Sequence, residues 1–431
     1  MLGVAFGLAV LVGNTIGMGI LRTPGEVAAA VPSAAIFMAM WVVGAVYALL
    51  GALCVAELGA MHPRSGGLFP LVHRGLGPFA GFVAGWTDWL ATCGSLAAVA
   101  VVMGEYLGPL VPALDGRAAG TAAAFVVGFA LLQWRGIRIG DVAQQVTSLL
   151  KAVALVGLAA VALVASPQSM SAAVPDSVPA LAGGLALVSA VVVGLQSVIF
   201  TYDGWTGPVY FGEEVRDPGR DIPRSMIGGV LLVLAIYLAL NVAFLRVVPI
   251  AEMAGDPFVA ATVAARLFGP AGDTVVRVLT VVSLLAAVNA LQLMASRVPY
   301  AMSRVGFLPS ALGRVNAGGT PLPALAAGTV LALIFIASNT LDRILALLAF
   351  FFVANYVLTF TALFVLRRRE PDAPRPFRVP GYPWVPGIAL AGSVTFLAAA
   401  AWGDRTNSLI AVGLVAVSWP AYRLAAKRIA S

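Results

Sequence analysis

Residues 12–25 read VGNTIGMGILRTPG, and residues 200–208 read FTYDGWTGP. Each lies within a long apolar stretch and places helix-weakening residues in its middle. In the first, Gly13, Gly17 and Gly19 crowd together and Pro24 follows. Glycine costs about 1 kcal/mol relative to alanine inside a helix, so the cluster marks where a helix opens cheaply. In the second, Asp203, Gly204, Gly207 and Pro208 interrupt the run. A broken helix frees backbone groups. N–H groups at one broken end carry partial positive charge and bind a carboxylate; carbonyls at the other bind an ammonium. A zwitterionic amino acid needs both, close together. A second reading of the glycines is that they only let helices pack closely, as small residues do in membranes.

The surrounding sequence sets the solvent. Hydrophobic residues make up 60% of the chain and charged residues 10%, with a mean hydropathy of +0.96. Soluble domains carry roughly 25% charge. Residues 34–60, 78–107, 142–165 and 226–248 are each long enough to cross a hydrocarbon core, which takes about 20 residues. Lipid offers the backbone no hydrogen-bond partner, so the spans are helical. A β-barrel reads as short alternating segments, and none are seen. The expected class is an all-α integral membrane protein.

Twelve apolar segments are expected, near 3–31, 34–60, 78–107, 117–134, 142–165, 183–211, 226–248, 274–302, 323–338, 341–366, 385–402 and 407–422. The two interrupted segments stand five apart. That spacing fits an inverted repeat of five helices plus five, with broken helices meeting at the bilayer midplane to form the substrate site. On this plan 1–165 is the first repeat, 183–366 the second, and 385–422 two peripheral helices of a single 1–431 transporter domain. The loop at 249–273 is the longest on its side and suits a short hairpin cap. Met1 leads straight into the first segment, so that span is expected to insert as its own signal.

Basic residues orient the spans. Of 26 Lys and Arg, eighteen fall on one side, including Arg64, Arg74, Arg216, Arg304 and the run Arg367–Arg369, and seven on the other, among them Arg22, Arg117 and Arg246. The richer side, with both termini, is expected in the cytoplasm. These arginines sit at helix ends and not on one basic face, which argues against nucleic acid as a partner. Cys54 and Cys93 lie inside spans, so neither a disulfide framework nor a cysteine metal site is expected. The only histidines are His62 and His73, and no HExxH, GxSxG or Walker motif occurs. An enzyme is therefore disfavoured, and no cofactor or metal is expected. A channel would show pore-lining polar stripes or a filter segment, and neither is present.

Lys151, in VTSLLKAVALVG, stands about ten residues inside a span. An intramembrane cation is a functional candidate by default; the alternative is a lysine reaching the interface with its stem in lipid. Asp203 could pair with a cationic substrate, cap a half-helix or face water. Trp205 could wall the pocket or merely pack. Glu57, Glu213, Glu214, Asp217 and Asp221 sit among arginines, either as solvated loop charge or as an inner-gate network.

Five ordered motifs carry a family resemblance: GNTIGMGI (13–20), PRSGGLFPLVHRGLG (63–77), FTYDGWTGPVYFGEEVRDPGRDIPRS (200–225), ASRVPYAMSRVGFLP (295–309) and RPFRVPGYPWVP (375–386). Together they resemble the amino acid/polyamine/organocation (APC) superfamily of transporters, and within it the L-type branch and its bacterial relatives. The resemblance implies a LeuT-like fold of twelve transmembrane helices, with helices 1 and 6 discontinuous. It implies that amides near Met18 and Gly19 bind the substrate carboxylate. Carbonyls near Thr15, Phe200 and Asp203 would bind its ammonium, and Gly17 and Gly204 belong to the same substrate site. Phe200 matches the aromatic that closes over the substrate; Asn14 and Glu213 join it as gating residues, and Trp205 and Asn355 as pocket residues. Lys151 matches a lysine whose ammonium stands where related carriers bind sodium. A fixed positive charge there repels Na⁺ and can brace the first helix through its carbonyls. The expected function is sodium-independent exchange or facilitated transport of neutral L-amino acids. Cationic amino acids or polyamines, with possible proton coupling, are the alternative. The family often has a small polar residue where Met18 stands. The mammalian light subunits carry a cysteine in the outer loop after the third span, but GPLVPALDGRAAG (108–120) has none. A monomer or weak homodimer in a bacterial cytoplasmic membrane is expected, without a disulfide-linked heavy subunit.

Overall fold

Hydrophobic residues all around a segment, with no water to serve its backbone, leave the α-helix as the local solution. The computed structural model follows this throughout. It describes residues 2–17, 19–31, 33–164, 185–338, 341–403 and 405–430. The helices are α1 (Val4–Thr15), α2 (Gly19–Ala30), α3 (Ala34–Met61), α4 (Phe69–Leu76), α5 (Pro78–Leu107), α6 (Ala118–Trp134), α7 (Ile137–Val164) and α8 (Leu185–Tyr202). They continue with α9 (Pro218–Val247), α10 (Ile250–Met253), α11 (Val259–Phe268), α12 (Gly272–Arg304), α13 (Leu322–Ala337), α14 (Leu341–Arg369), α15 (Trp384–Gly403) and α16 (Arg405–Ala430). No β-strand occurs among the described residues, only the isolated bridges Leu2–Val215 and Ser65–Phe211.

Among the described residues, eight helices are long and apolar enough to cross a bilayer, or nine with α1 and α2 taken as one span. These two meet at 45° across a break of three residues. Helices α6, α11, α13 and the stretch Ala190–Tyr202 of α8 are apolar but shorter. Local chemistry marks the starts. The Ser33 hydroxyl accepts from the Ile36 amide at the head of α3, and proline stands in the first turn of α5, α9 and α13, where its missing N–H costs nothing.

Helix α1 lies at the centre, packed against α7, α9 and α12. Helix α8 packs on α2 and α3, α5 packs on α12, α6 and α14, and α15 and α16 lie outside α14. The lipid-facing surface is legible on α7. Val146, Leu149, Val153 and Val156 are exposed, while Gln144, Ser148 and Lys151 on the opposite face are buried. The loop between α9 and α12 carries the short helices α10 and α11. It rests on α2, where the Gly255 amide donates to the Gly25 carbonyl at 3.0 Å.

Candidate functional site

Helix α1 stops at Thr15 because the next residues leave helical geometry: Ile16 has ψ 87°, and the Gly17 amide donates to the Thr15 carbonyl at 2.9 Å. The last carbonyls of α1 then lack intrahelical partners, and an unmet carbonyl in a dry interior is costly. Side chains from three other helices meet them. Lys151 of α7, with 0% exposure, donates from Nζ to the Gly13 carbonyl at 2.9 Å and to the Ile16 carbonyl. The Ser283 hydroxyl of α12 donates to the same Ile16 carbonyl at 3.3 Å. Tyr237 of α9 places its hydroxyl 2.9 Å from the Thr15 carbonyl and 3.1 Å from the Thr201 carbonyl, so one group serves the ends of both α1 and α8. A cation at a helix C-terminus also meets the negative end of its dipole. The contacts show how Lys151 is satisfied: it does not reach for the interface.

Helix α8 ends at Tyr202, and the chain turns at Gly204, whose φ of +111° suits glycine. A Cβ on Gly204 would stand 2.7 Å from Asn14 Nδ2 and 2.9 Å from the Thr15 amide nitrogen. The two chain ends therefore touch through backbone, and Asn14 Nδ2 donates to the Gly204 carbonyl at 3.4 Å. The glycines of the first segment divide between the two sequence readings. Gly13 and Gly19 are packing positions, where a Cβ would collide with Gln144 and Thr201, whereas Gly17 faces open space.

A cavity of about 90 Å³ lies at this junction. Asn14, Thr15, Gly17 and Gly19 line one side, and Phe200, Thr201 and Asp203 another. Ser95 and Val99 of α5, Leu291 of α12, and Leu348 and Phe352 of α14 complete it. The Thr15 hydroxyl is buried without a hydrogen-bond partner and is free to meet a ligand. Asp203 accepts from the Tyr356 hydroxyl of α14.

Not every expected site residue reaches the cavity. Trp205 is buried elsewhere, stacked on Tyr356 with ring centroids 4.8 Å apart. Asn355 is buried against α5, where its Oδ1 accepts from Thr87 at 3.1 Å. Gly204 supports the cavity from behind. Met18 lies outside the described residues. Tyr237 and Tyr356 were missed by sequence reasoning; the available signal was a hydroxyl in a largely apolar span, beside Asn241 in one and Asn355 in the other. Thr201 stands inside the quoted 200–225 motif and Phe352 three residues before Asn355, so both could have been named by proximity.

The arginine-rich face carries ion pairs of two kinds. Glu57 is fully buried; Arg367 grips it with two bonds of 2.6 Å, and the Val379 amide adds a third at 2.7 Å. This ties α3 to α14. Glu213 is more accessible and joins Arg64 to Arg304, while Glu214 holds the buried Arg297. Arg74 pairs with Glu370 and donates to His62 Nδ1 at 3.0 Å. Burial, with Arg74 and Arg64 adding to it, lowers His62 to about 4, so its ring is neutral and can accept that bond. Below Glu213 lies a second cavity of about 340 Å³, lined by Arg64, Ser65, His73 and Arg304.

Comparison with known proteins gives the family. The amino acid permease family matches residues 4–419. The chain belongs to the amino acid permease family. Among its relatives, the serine/threonine exchanger SteT of Bacillus subtilis (strain 168) is 29% identical, covering 100% of this chain and 98% of SteT. The b(0,+)-type amino acid transporter 1 of Mus musculus is 28% identical over 88% of this chain and 78% of its own. The large neutral amino acids transporter small subunit 2 of Homo sapiens is 27% identical over 88% and 72%. This permease is thus an APC-superfamily amino acid transporter, not an enzyme.

Proposed function

We propose that this permease carries small neutral L-amino acids by sodium-independent exchange or facilitated transport, working by alternating access. The observation that carries the reading is Lys151, whose ammonium occupies the carbonyls of Gly13 and Ile16. Those carbonyls are the ligands a cation such as Na⁺ would need. Two features support a small zwitterion: a cavity of about 90 Å³, well under the roughly 300–1,000 Å³ of drug-sized pockets, and an unpaired Thr15 hydroxyl on its wall. The N-terminus of α2 at Gly19 would take the carboxylate and the backbone turn at 200–203 the ammonium. A relative named as a serine/threonine exchanger favours the same class.

The wider architecture belongs to this proposal. The eight long helices, the bent α1–α2 pair and the shorter α6, α8 and α13 make twelve spans, with the first and sixth discontinuous and related as two inverted repeats. The chain would sit in a bacterial cytoplasmic membrane with both termini inside, as a monomer or weak homodimer. Both cysteines are buried, which disfavours a disulfide-linked heavy subunit.

Asp203 on the cavity wall supports a second reading, transport of cationic amino acids. Proteoliposomes loaded with unlabelled amino acid and given labelled L-serine, L-leucine or L-arginine separate the two. The proposal expects saturable, exchange-stimulated L-serine uptake, unchanged when choline replaces Na⁺. Uptake that needs Na⁺ would overturn it, and L-arginine uptake lost in Asp203→Asn would establish the second reading.

A further inference from the structure

Asp88, in the middle of α5, is the buried ionisable group that the transport reading leaves unused. It has 1% exposure and no ion pair among the described residues. Its Oδ1 accepts from the Tyr210 hydroxyl at 2.6 Å. Its Oδ2 is buried and makes no hydrogen bond of good geometry, although the Leu68 backbone amide also faces the carboxylate. A carboxylate with an empty oxygen and no cation opposite it is among the costliest groups to keep inside a membrane.

What covers that oxygen is the inner gate. Gly67 has φ +68°, and a Cβ there would stand 2.7 Å from Asp88 Oδ2 and 2.7 Å from the Tyr210 ring. Only glycine lets the 65–67 loop lie directly on the carboxyl group. The Gly66 amide donates to the Tyr210 carbonyl at 3.2 Å, and the Glu213 amide donates to the Ser65 hydroxyl at 3.3 Å. Glu213 in turn pairs with Arg64 and Arg304 on the wall of the 340 Å³ inner cavity. The loop thus separates Asp88 from that cavity and is pinned by the ion pairs an opening gate must break.

Other ionisable groups around Asp88 offer no compensation. Tyr210 approaches from the turn at 207–210, and the charge felt by both groups is another carboxylate, Asp203. Cys93 lies farther along α5. On α14, Tyr356 is engaged by Asp203. On α4, His73 packs at Gly81, nearer the inner end. On α12, Arg297 is taken by Glu214 and lies over Phe211. On α16, Tyr422 meets Phe82 edge to face, and Arg423 points outward over Trp419. Helices α6 and α13 carry no ionisable side chain.

We propose that Asp88 is a proton-binding site beneath the inner gate: Oδ2 holds a proton while the 65–67 loop is seated, and gives it to cytosolic water when the loop lifts. The O–H bond of the carboxyl group breaks, its electron pair stays on Oδ2, and water takes the proton. Closing the loop again requires the proton to return, so the seated state is favoured at low cytosolic pH. The alternating-access reading enters only as the motion that lifts the loop.

Two measurements on the purified full-length chain in liposomes test this without any substrate, so they stand apart from the amino-acid assignment. Infrared spectra at neutral pH should show the carbonyl stretch of a protonated carboxylic acid in the wild type, missing in Asp88→Asn. In Tyr210→Phe the band should persist at a shifted frequency, because the bond to Oδ1 is gone. Maleimide labelling of Ser65→Cys, read against the chain lacking that cysteine, should rise several-fold as pH rises. With Asp88→Asn, a permanent mimic of the protonated form, it should stay low at every pH. No band difference at Asp88, an unmoved band in Tyr210→Phe, or the same pH dependence in Asp88→Asn would each overturn the proposal.

Discussion

Lys151 illustrates how much one side chain can carry when its partners have no other source of hydrogen bonds. Its ammonium serves the Gly13 and Ile16 carbonyls with no exposure to solvent. Hydrogen bonds to charged groups are worth about 1.5–3 kcal/mol each. Lys151→Ala should therefore lower exchange by roughly 10- to 100-fold while the protein still inserts; uptake normalised to membrane abundance measures it, and unchanged uptake would sink the assigned role. Gly204 makes a different demand. Its φ is +111°, and an added Cβ would meet Asn14 and Thr15 below 3.0 Å. Backbone strain of this kind costs about 1–3 kcal/mol. Gly204→Ala should lower the Tm of detergent-solubilised protein, and an unaltered Tm would show that the two chain ends can move apart freely.

At the scale of elements, the hydrogen bonds at the helix ends join helices that are distant in sequence. Tyr237 connects α9 to the ends of α1 and α8 through one hydroxyl. Tyr237→Phe keeps the ring among Trp41 and Tyr202 and removes only that link, worth about 1 kcal/mol. Exchange should fall about fivefold with Tm nearly unchanged. The ion pairs sort by burial. Glu57 is fully buried against Arg367, so Glu57→Gln leaves a charge uncompensated and should cost about 3–5 kcal/mol. Glu213 pairs with Arg64 and Arg304 at 55% and 43% side-chain exposure, where pairs are worth about 0–1 kcal/mol. Glu213→Gln should barely move Tm yet change the balance between gate states, readable as labelling at Ser65→Cys. Equal Tm losses in both variants would contradict this division.

These same elements show what the sequence could tell. That helices end near 13–19 and 200–208 was legible because glycine, proline and aspartate are conspicuous in apolar runs, and Lys151 stood out for the same reason. Its partners were not legible, because nothing in VTSLLKAVALVG says which carbonyls its face meets. Asp88 and Tyr210 are 122 residues apart, and Gln144 reaches Asn289 across 145; no local pattern encodes such pairings. Trp205 sits in a motif beside the cavity and Asn355 on a helix that lines it, yet their side chains turn toward neighbouring helices. A motif locates a backbone segment but does not fix the direction of each side chain on it.

For the whole molecule, the decisive quantity is orientation, because it fixes which cavity meets the cytosol. On the proposed twelve-span plan, eighteen of the 26 Lys and Arg fall on one face. Basic loops are retained on the cytoplasmic side during insertion, so the Glu213 ion pairs and the larger cavity should face inward. Exposed loop positions allow a direct check. Asp372 lies on the arginine-rich face, and Ala113 and Ala254 lie in the opposite loops. The two native cysteines are buried and give little background. In intact cells, a membrane-impermeant maleimide should label Ala113→Cys and Ala254→Cys but not Asp372→Cys, and permeabilisation should expose the last. The reverse pattern would turn the molecule over. Arg64, Glu213 and Arg304 would then guard the outer entrance, and the proton leaving Asp88 would enter the external medium instead of the cytosol.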